Sequence, residues 1–210
     1  MNSLFESRVV RVAVADDHPI VRAGICGILS ADSKIRVVGE AENGQQAVEL
    51  VRKRGIDVLV LDLAMPGRAG LSLLRQVRDE APDMRVIVFS SYDPVSHKAR
   101  SLALGASAYL AKDTPPTEIL QTIHQVMERP VQKRTTDADG SPHAKLSVRQ
   151  YDVFVRLVHG ESVTDIAKDL HLSVKTVSTH KVTVQKRLGV QSVVDLVRYA
   201  VLHELVPAST

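Results

Sequence analysis

The sequence is poor in the residues that build covalent or aromatic scaffolds. Among 210 residues there is one cysteine, no tryptophan, three phenylalanines and four tyrosines. A lone thiol excludes an internal disulfide, and Cys26, set among Gly24, Ile25, Gly27 and Ile28, reads as a small packed side chain. No apolar run is long enough to span a bilayer, and the N-terminus lacks the basic-then-apolar layout of a secretory signal. A soluble, cytoplasmic protein with no membrane partner is therefore expected. Nor does one sign of charge dominate, since 27 basic and 24 acidic side chains leave a net +3. The imbalance is local, however. Residues 1 to 129 carry 16 of each sign and residues 130 to 144 two of each, whereas residues 145 to 210 carry nine basic and six acidic side chains. All the excess positive charge is thus C-terminal, where it favours a polyanion-binding unit.

Two compact units are the natural expectation at this length. In residues 8 to 129, short β-branched runs at 9–15, 36–39, 57–61, 85–89 and 108–110 alternate with amphipathic segments. Pro19 and Pro94 suit first helical positions, ahead of Val21, Ile25, Ile28 and Leu29 and of Val95, Ala99, Leu102 and Ala103. Gly105 suits a C-terminal stop. Thr114 followed by Pro115 predicts the N-cap and first position of a helix that buries Ile119, Ile123 and Val126. Strands alternating with helices predict an α/β fold with a parallel sheet covered on both faces, its functional groups beyond the carboxyl ends of the strands. Residues 130 to 144 lack hydrophobic periodicity and read as a flexible linker, and residues 145 to 206 read as all-α.

In that topology three carboxylates meet at one sheet edge: Asp16 and Asp17 after the first strand and Asp62 after the third. Unpaired, they would raise one another's pKa, and a divalent cation relieves this. Oxygen ligands of this kind suit Mg²⁺. Lys112, after the fifth strand, adds a positive charge and Ser90, after the fourth, a hydroxyl. This set fits a carboxylate nucleophile attacking phosphorus while cations and a hydroxyl stabilise the phosphoryl oxygens. A strand end alone would explain any one of these residues, but not all five together. His18 reads as an exposed helix-start residue.

The segments VAVADDHP, VLVLDLAMPG, VIVFSS and GASAYLAKD resemble the receiver domain of bacterial two-component response regulators. The resemblance implies a flavodoxin-like five-stranded receiver in which Asp62 is phosphorylated by a partner sensor histidine kinase. It implies Mg²⁺ held by Asp17, Asp62 and the Ala64 carbonyl, with Asp16 holding a metal-bound water. Lys112 would pair with the phosphoryl group, and Ser90 and Tyr109 would form the switch pair. Asp113 stands where many receivers have a cis proline, and Ser90 where many have threonine.

In the C-terminal unit, Ser162 and Ser192 are each followed three residues later by an acid, Asp165 and Asp195, and Ser173 suits the cap of a helix over 174–188. On that helix Val177, Val184 and Leu188 form one stripe, and Lys175, Ser178, Thr179, Val182 and Lys186 the opposite face. Lysines, hydroxyls and an outward valine suit the major groove of duplex DNA. The span from Leu146 to Val197 is similar to the LuxR-type helix-turn-helix of NarL/FixJ-family regulators. By that resemblance 174–188 is the recognition helix, and Lys175, Thr176, Ser178, Thr179, Lys181 and Val182 are its DNA contacts. Gln150 replaces the family's usual glutamate and Val193 a frequent arginine. The last helix, apolar at Val193, Val194, Leu196, Val197, Tyr199, Ala200 and Val201, predicts a homodimer on two-fold related half-sites.

Three other functions compete with a phosphorylation-switched transcription regulator. A phosphohydrolase of the haloacid dehalogenase type would usually carry a second acid at position 64, which is alanine here, so a lasting acyl phosphate rather than an enzyme is expected. A regulator independent of phosphorylation would not need the acid trio with Ser90 and Lys112. RNA binding is disfavoured because the C-terminal unit shows no aromatic stacking platform.

Overall fold

The computed structural model describes residues 9–65, 70–91, 94–131, 142–203 and 205–206. The first unit runs β1 (Val10–Ala15), α1 (Pro19–Ser30), β2 (Ile35–Ala41), α2 (Gly44–Arg52), β3 (Val58–Leu61), α3 (Gly70–Glu80), β4 (Arg85–Ser90), α4 (Pro94–Ala103), β5 (Ala108–Ala111) and α5 (Pro116–Glu128). All strand pairs are parallel, in the order β2-β1-β3-β4-β5. This is the doubly wound, flavodoxin-like arrangement, whose switch point lies at β1 and β3.

Both sheet faces are covered, so successive strand residues are buried on alternate sides. Val12, Val14, Val58, Val60, Ile87 and Phe89 pack with Ile25, Leu29, Ile119 and Ile123 of α1 and α5. Ala13, Leu59, Leu61, Val86, Val88 and Tyr109 belong to the opposite layer, with Val48, Leu74 and Val77 of α2 and α3.

The fifth helix begins one residue later than the Thr114–Pro115 pair predicts. Pro115 is the N-cap, with ψ 144, and Pro116 holds the first position. A residue preceding proline is driven out of the helical region, so Pro116 keeps Pro115 extended. β2 is longer than its apolar run because it is an edge strand, and a bulge at Val12/Ala13 shifts its pairing with β1. Gly105, with φ 93, follows the end of α4 as expected. The side chain of Val95 and residues 132–141 of the expected linker lie outside the described residues.

The second unit has a short 3-10 turn (His143–Lys145) and α6 (Val148–Val158), α7 (Val163–Asp169), α8 (Val174–Leu188) and α9 (Val193–Leu202). Ser162, Ser173 and Ser192 each cap a helix by accepting the N–H three residues on. The turn between α7 and α8 is closed by the Leu172 N–H on the Ala167 carbonyl, with His171 in the left-handed region at φ 51. Gln150 completes a capping box with Ser147, and its Oε1 also accepts from Arg187 Nη1 at 3.1 Å. The neutral amide thus takes a glutamate's place as a hydrogen-bond acceptor. Ser147→Ala should cost about 1 kcal/mol, read as a fall in the denaturant midpoint of the second unit.

α6 is buried from Tyr151 through Leu157 because it packs on two sides. One side meets α8 and α9 and the other meets α3. The sheet layer containing Tyr109 therefore continues into Tyr151, Phe154 and Leu157 of the second unit.

Candidate functional site

The carboxyl ends of β1, β3, β4 and β5 assemble an acidic pocket. Asp16 and Asp62 are almost wholly buried, while Asp17 is half-buried. The Asp62 N–H donates to the Ala15 carbonyl, which fixes the acceptor at the β1–β3 junction. Its Oδ1 accepts the Ala64 N–H at 3.0 Å and its Oδ2 the Lys112 ammonium at 2.8 Å. The same ammonium lies 2.7 Å from Asp16 Oδ2. Lys112 thereby joins carboxylates from two strands, and it follows β5 because its N–H continues the ladder onto the Ser90 carbonyl. The described residues contain no cis peptide bond, so the Lys112–Asp113 link is trans, and the Thr114 N–H closes the turn on Ala111.

Burial pushes the Asp62 carboxyl above its ordinary value, against the Lys112 and Ala64 hydrogen bonds, and Asp16 adds to the rise. Burial of the Lys112 ammonium acts downward, but the two carboxylates outweigh it and hold its pKa up. One ammonium between several acids leaves negative charge to neutralise. Ligand atoms of Asp16, Asp17, His18 and Asp62 lie within 4.8 Å of one another, and Asp17 Oδ1 is buried with no hydrogen bond of good geometry. This donor set fits Mg²⁺. His18 is exposed at the α1 N-cap as expected, yet its Nδ1 stands 2.9 Å from Asp17 Oδ1, a proximity its position in the sequence does not suggest. Ala64 is exposed beside the pocket.

Ser90 is buried at the end of β4, and Tyr109 is 7% exposed, packed among the residues that reach α6. Sequence reasoning missed the seam beyond them. Arg100 of α4 donates to the Leu146 carbonyl at 2.9 Å and lies 5.3 Å from the centroid of the Tyr151 ring. His97, buried on α4, meets Tyr151 edge-on at 6.4 Å. Burial, with His159 and Arg156 nearby, pushes His97 down to about 3, so its ring is neutral. Asp152 on α6 accepts the Leu71 N–H of α3 at 3.2 Å. The available signal was charge in α6 at Asp152 and Arg156, on a helix otherwise too apolar to serve one small core.

On α8, Val177, Val184 and Leu188 are buried. Lys175, Thr179 and Val182 are exposed, while Thr176, Ser178 and Lys181 are half-buried. Two threonine hydroxyls fold back on the helix: Thr179 donates to the Lys175 carbonyl and Thr183 to the Thr179 carbonyl, each at 2.9 Å. Thr176 Oγ1 is engaged with Ser173 Oγ. The outward face is therefore more apolar than its composition suggests, and Val182, 63% exposed, is its centre. His180 is half-buried, and burial together with Arg149 lowers its pKa.

A family model for the response regulator receiver domain matches residues 12–124, and one for bacterial regulatory proteins of the luxR family matches residues 144–200. Response regulator UvrY of Escherichia coli K12 is 30% identical over 96% of this chain and 98% of its own. Response regulator GacA of Pseudomonas protegens is 32% identical over 96% and 100%. A structure of the Salmonella typhimurium RcsB response regulator superimposes with a TM-score of 0.71 at 28% identity, covering 95% of this chain and 99% of that one. RcsB of Salmonella enterica serovar Typhimurium bound to promoter rprA with the phosphomimetic BeF3⁻ gives 0.67 at 29%, covering 90% and 97%. Fold, pocket and helical unit define a DNA-binding transcriptional response regulator of the two-component class. Within it, the chain belongs to the NarL/FixJ family, with a receiver domain and a LuxR-type helix-turn-helix.

Proposed function

We propose that Asp62 accepts a phosphoryl group from a sensor histidine kinase and that this modification favours a homodimer which binds two-fold related half-sites in duplex DNA. The observation that carries the reading is the Lys112 ammonium held between Asp16 and Asp62 at the sheet edge. The P–N bond of the kinase phosphohistidine breaks as an Asp62 oxygen bonds to phosphorus, and the histidine leaves. Lys112 then shifts its contact to a phosphoryl oxygen, the Ala64 N–H remains available to the acceptor, and Ser90 engages the phosphoryl group while Tyr109 stays packed behind it. Asp17, Asp62 and the Ala64 carbonyl would hold Mg²⁺, with Asp16 placed to hold a metal-bound water, and the ion would supply charge neutralisation. With alanine at position 64 no side-chain acid follows the acceptor by two residues, which suits a persistent signal rather than enzymatic turnover.

In this reading residues 8–129 form the receiver, 130–144 the linker and 145–206 the output domain. α8 enters the major groove, with Lys175 and Lys181 placed for phosphate or guanine and Thr176, Ser178, Thr179 and Val182 for base edges. Val194, Val201 and Leu202 leave an exposed apolar face on α9, which supports dimerisation through it. Among the described residues no helix is long and apolar enough to cross a membrane, and a DNA target supports a cytoplasmic site of action.

Selection from a random duplex pool by the acetyl phosphate-treated protein tests the reading, with enrichment of paired half-sites as the expected result. Because the neighbouring threonine hydroxyls are engaged, Val182 should meet a thymine methyl. Replacing that thymine by deoxyuridine should weaken binding roughly fourfold, the equivalent of about 0.8 kcal/mol for one buried methyl. Val182→Ala should largely abolish the difference. An undiminished deoxyuridine penalty in that variant would remove Val182 from base reading.

A further inference from the structure

Asp152 belongs to the DNA-binding unit, yet its carboxylate is spent on the receiver. Its Oδ1 accepts the Leu71 N–H in the first turn of α3 at 3.2 Å, where the helix dipole favours negative charge. Gly70, immediately before, has φ +68, and a Cβ there would lie 2.7 Å from Asp152 Oδ2, so backbone and carboxylate approach as closely as glycine permits. The Gly70 N–H in turn donates to the carbonyl of Leu63, the residue after Asp62, at 2.6 Å. The Ala64 N–H, one residue further, is the donor on Asp62 Oδ1. Hydrogen bonds between neighbouring residues thus link Asp62, through Ala64, Leu63, Gly70 and Leu71, to a helix of the output domain.

Packing alone does not account for an acid here. Asp152 is 3% exposed, its Oδ2 has no hydrogen bond, and Arg149 Nη1 stands no nearer than 4.0 Å. A buried, incompletely compensated carboxylate is costly, and an apolar residue at this place on α6 would avoid the cost.

We propose that Asp152 is a positioning residue for the phospho-acceptor: from the output domain it caps α3 and holds the segment behind Asp62, so that domain docking and phosphorylation are coupled through it. This rests on Asp62 being the acceptor. Coupling is reciprocal, so a change at Asp152 must be felt in the reaction at Asp62.

Burial raises the Asp152 carboxyl from 3.8 to about 6, against the Leu71 N–H and the charges of Arg149, Arg156 and Arg100. His97 and Tyr151 complete the seam, and His97 stays neutral. A docked pKa above the free value means that docking takes up a proton. The charged acid opposes docking above about pH 6, and this opposition fades as pH falls through 6 toward the free value.

The test is the initial rate of acetyl phosphate labelling of the full chain at pH 7.5 and 5.5, for wild type, Asp152→Ala, Asp152→Asn and Asp62→Ala. Asp152→Ala, without an acceptor for the Leu71 N–H, should label about fivefold more slowly, at the low end of usual couplings. Asp152→Asn keeps an acceptor and sheds the charge, so it should exceed wild type at pH 7.5, with the gap closing at pH 5.5. A merely structural role would lower the thermal midpoint without this rescue or this pH-dependent gap. Wild-type labelling by Asp152→Ala, or a wild-type to Asn ratio unchanged with pH, overturns the proposal. Should Asp152→Ala not fold, that ratio alone decides. Labelling that persists in Asp62→Ala overturns the acceptor assignment and the proposal with it.

Discussion

Asp62→Ala should reduce labelling by acetyl phosphate to background, the largest effect expected of any single substitution. Three features converge on this carboxylate. It ends the central strand β3, it receives both the Ala64 N–H and the Lys112 ammonium, and burial raises its pKa, which keeps electron density on the oxygens. Asp16 also touches Lys112, but its Oδ1 accepts the His18 N–H. Alanine removes the nucleophile and leaves Lys112 paired with Asp16, so the fold should survive. Because a ligand or modification shifts a conformational equilibrium only by its differential interaction with the two states, Asp62→Ala should also lose every phosphodonor-dependent gain in DNA affinity. Quantitative labelling with intact folding checked by circular dichroism tests this, and substantial residual label would relocate the acceptor.

The second large effect is expected on α9. Leu196 and Ala200 anchor the helix in its own domain, whereas Val194 is 60% exposed and Leu202 79% exposed. These two, with Val201, lie on the side turned away from α6. Glutamates at Val194 and Leu202 would put charge into a two-fold contact while sparing the domain core. The double variant should be monomeric by sedimentation equilibrium. Its affinity for paired half-sites should fall on the order of a hundredfold, because the second half-site loses the benefit of effective concentration, while affinity for a single half-site should barely change. Unaltered assembly would place the dimer surface elsewhere.

Much of this was legible in the sequence because the receiver obeys local rules. Strands buried on both faces read as continuous β-branched runs, and side-chain caps such as Ser162, Ser173 and Ser192 announce helices from four residues of sequence. The acidic pocket was legible for the same reason: a parallel sheet delivers strand-end residues to one edge, so Asp16, Asp62, Ser90 and Lys112 could be brought together from topology alone. The shift of α5 to Pro116 came from a competing local rule, the restriction on a residue before proline. What could not be read was long-range. Asp152 lies 81 residues from Leu71, and no local pattern links them. The inward turn of the threonine hydroxyls on α8 is a rotamer choice that composition does not encode.

The most direct measurement is the affinity of the full chain for a selected duplex with and without acetyl phosphate, in wild type and Asp62→Ala side by side at fixed salt. Wild type should tighten on the order of tenfold and Asp62→Ala not at all. An equal gain in both proteins, or none in wild type, would contradict phosphorylation of Asp62 as the event that controls DNA binding.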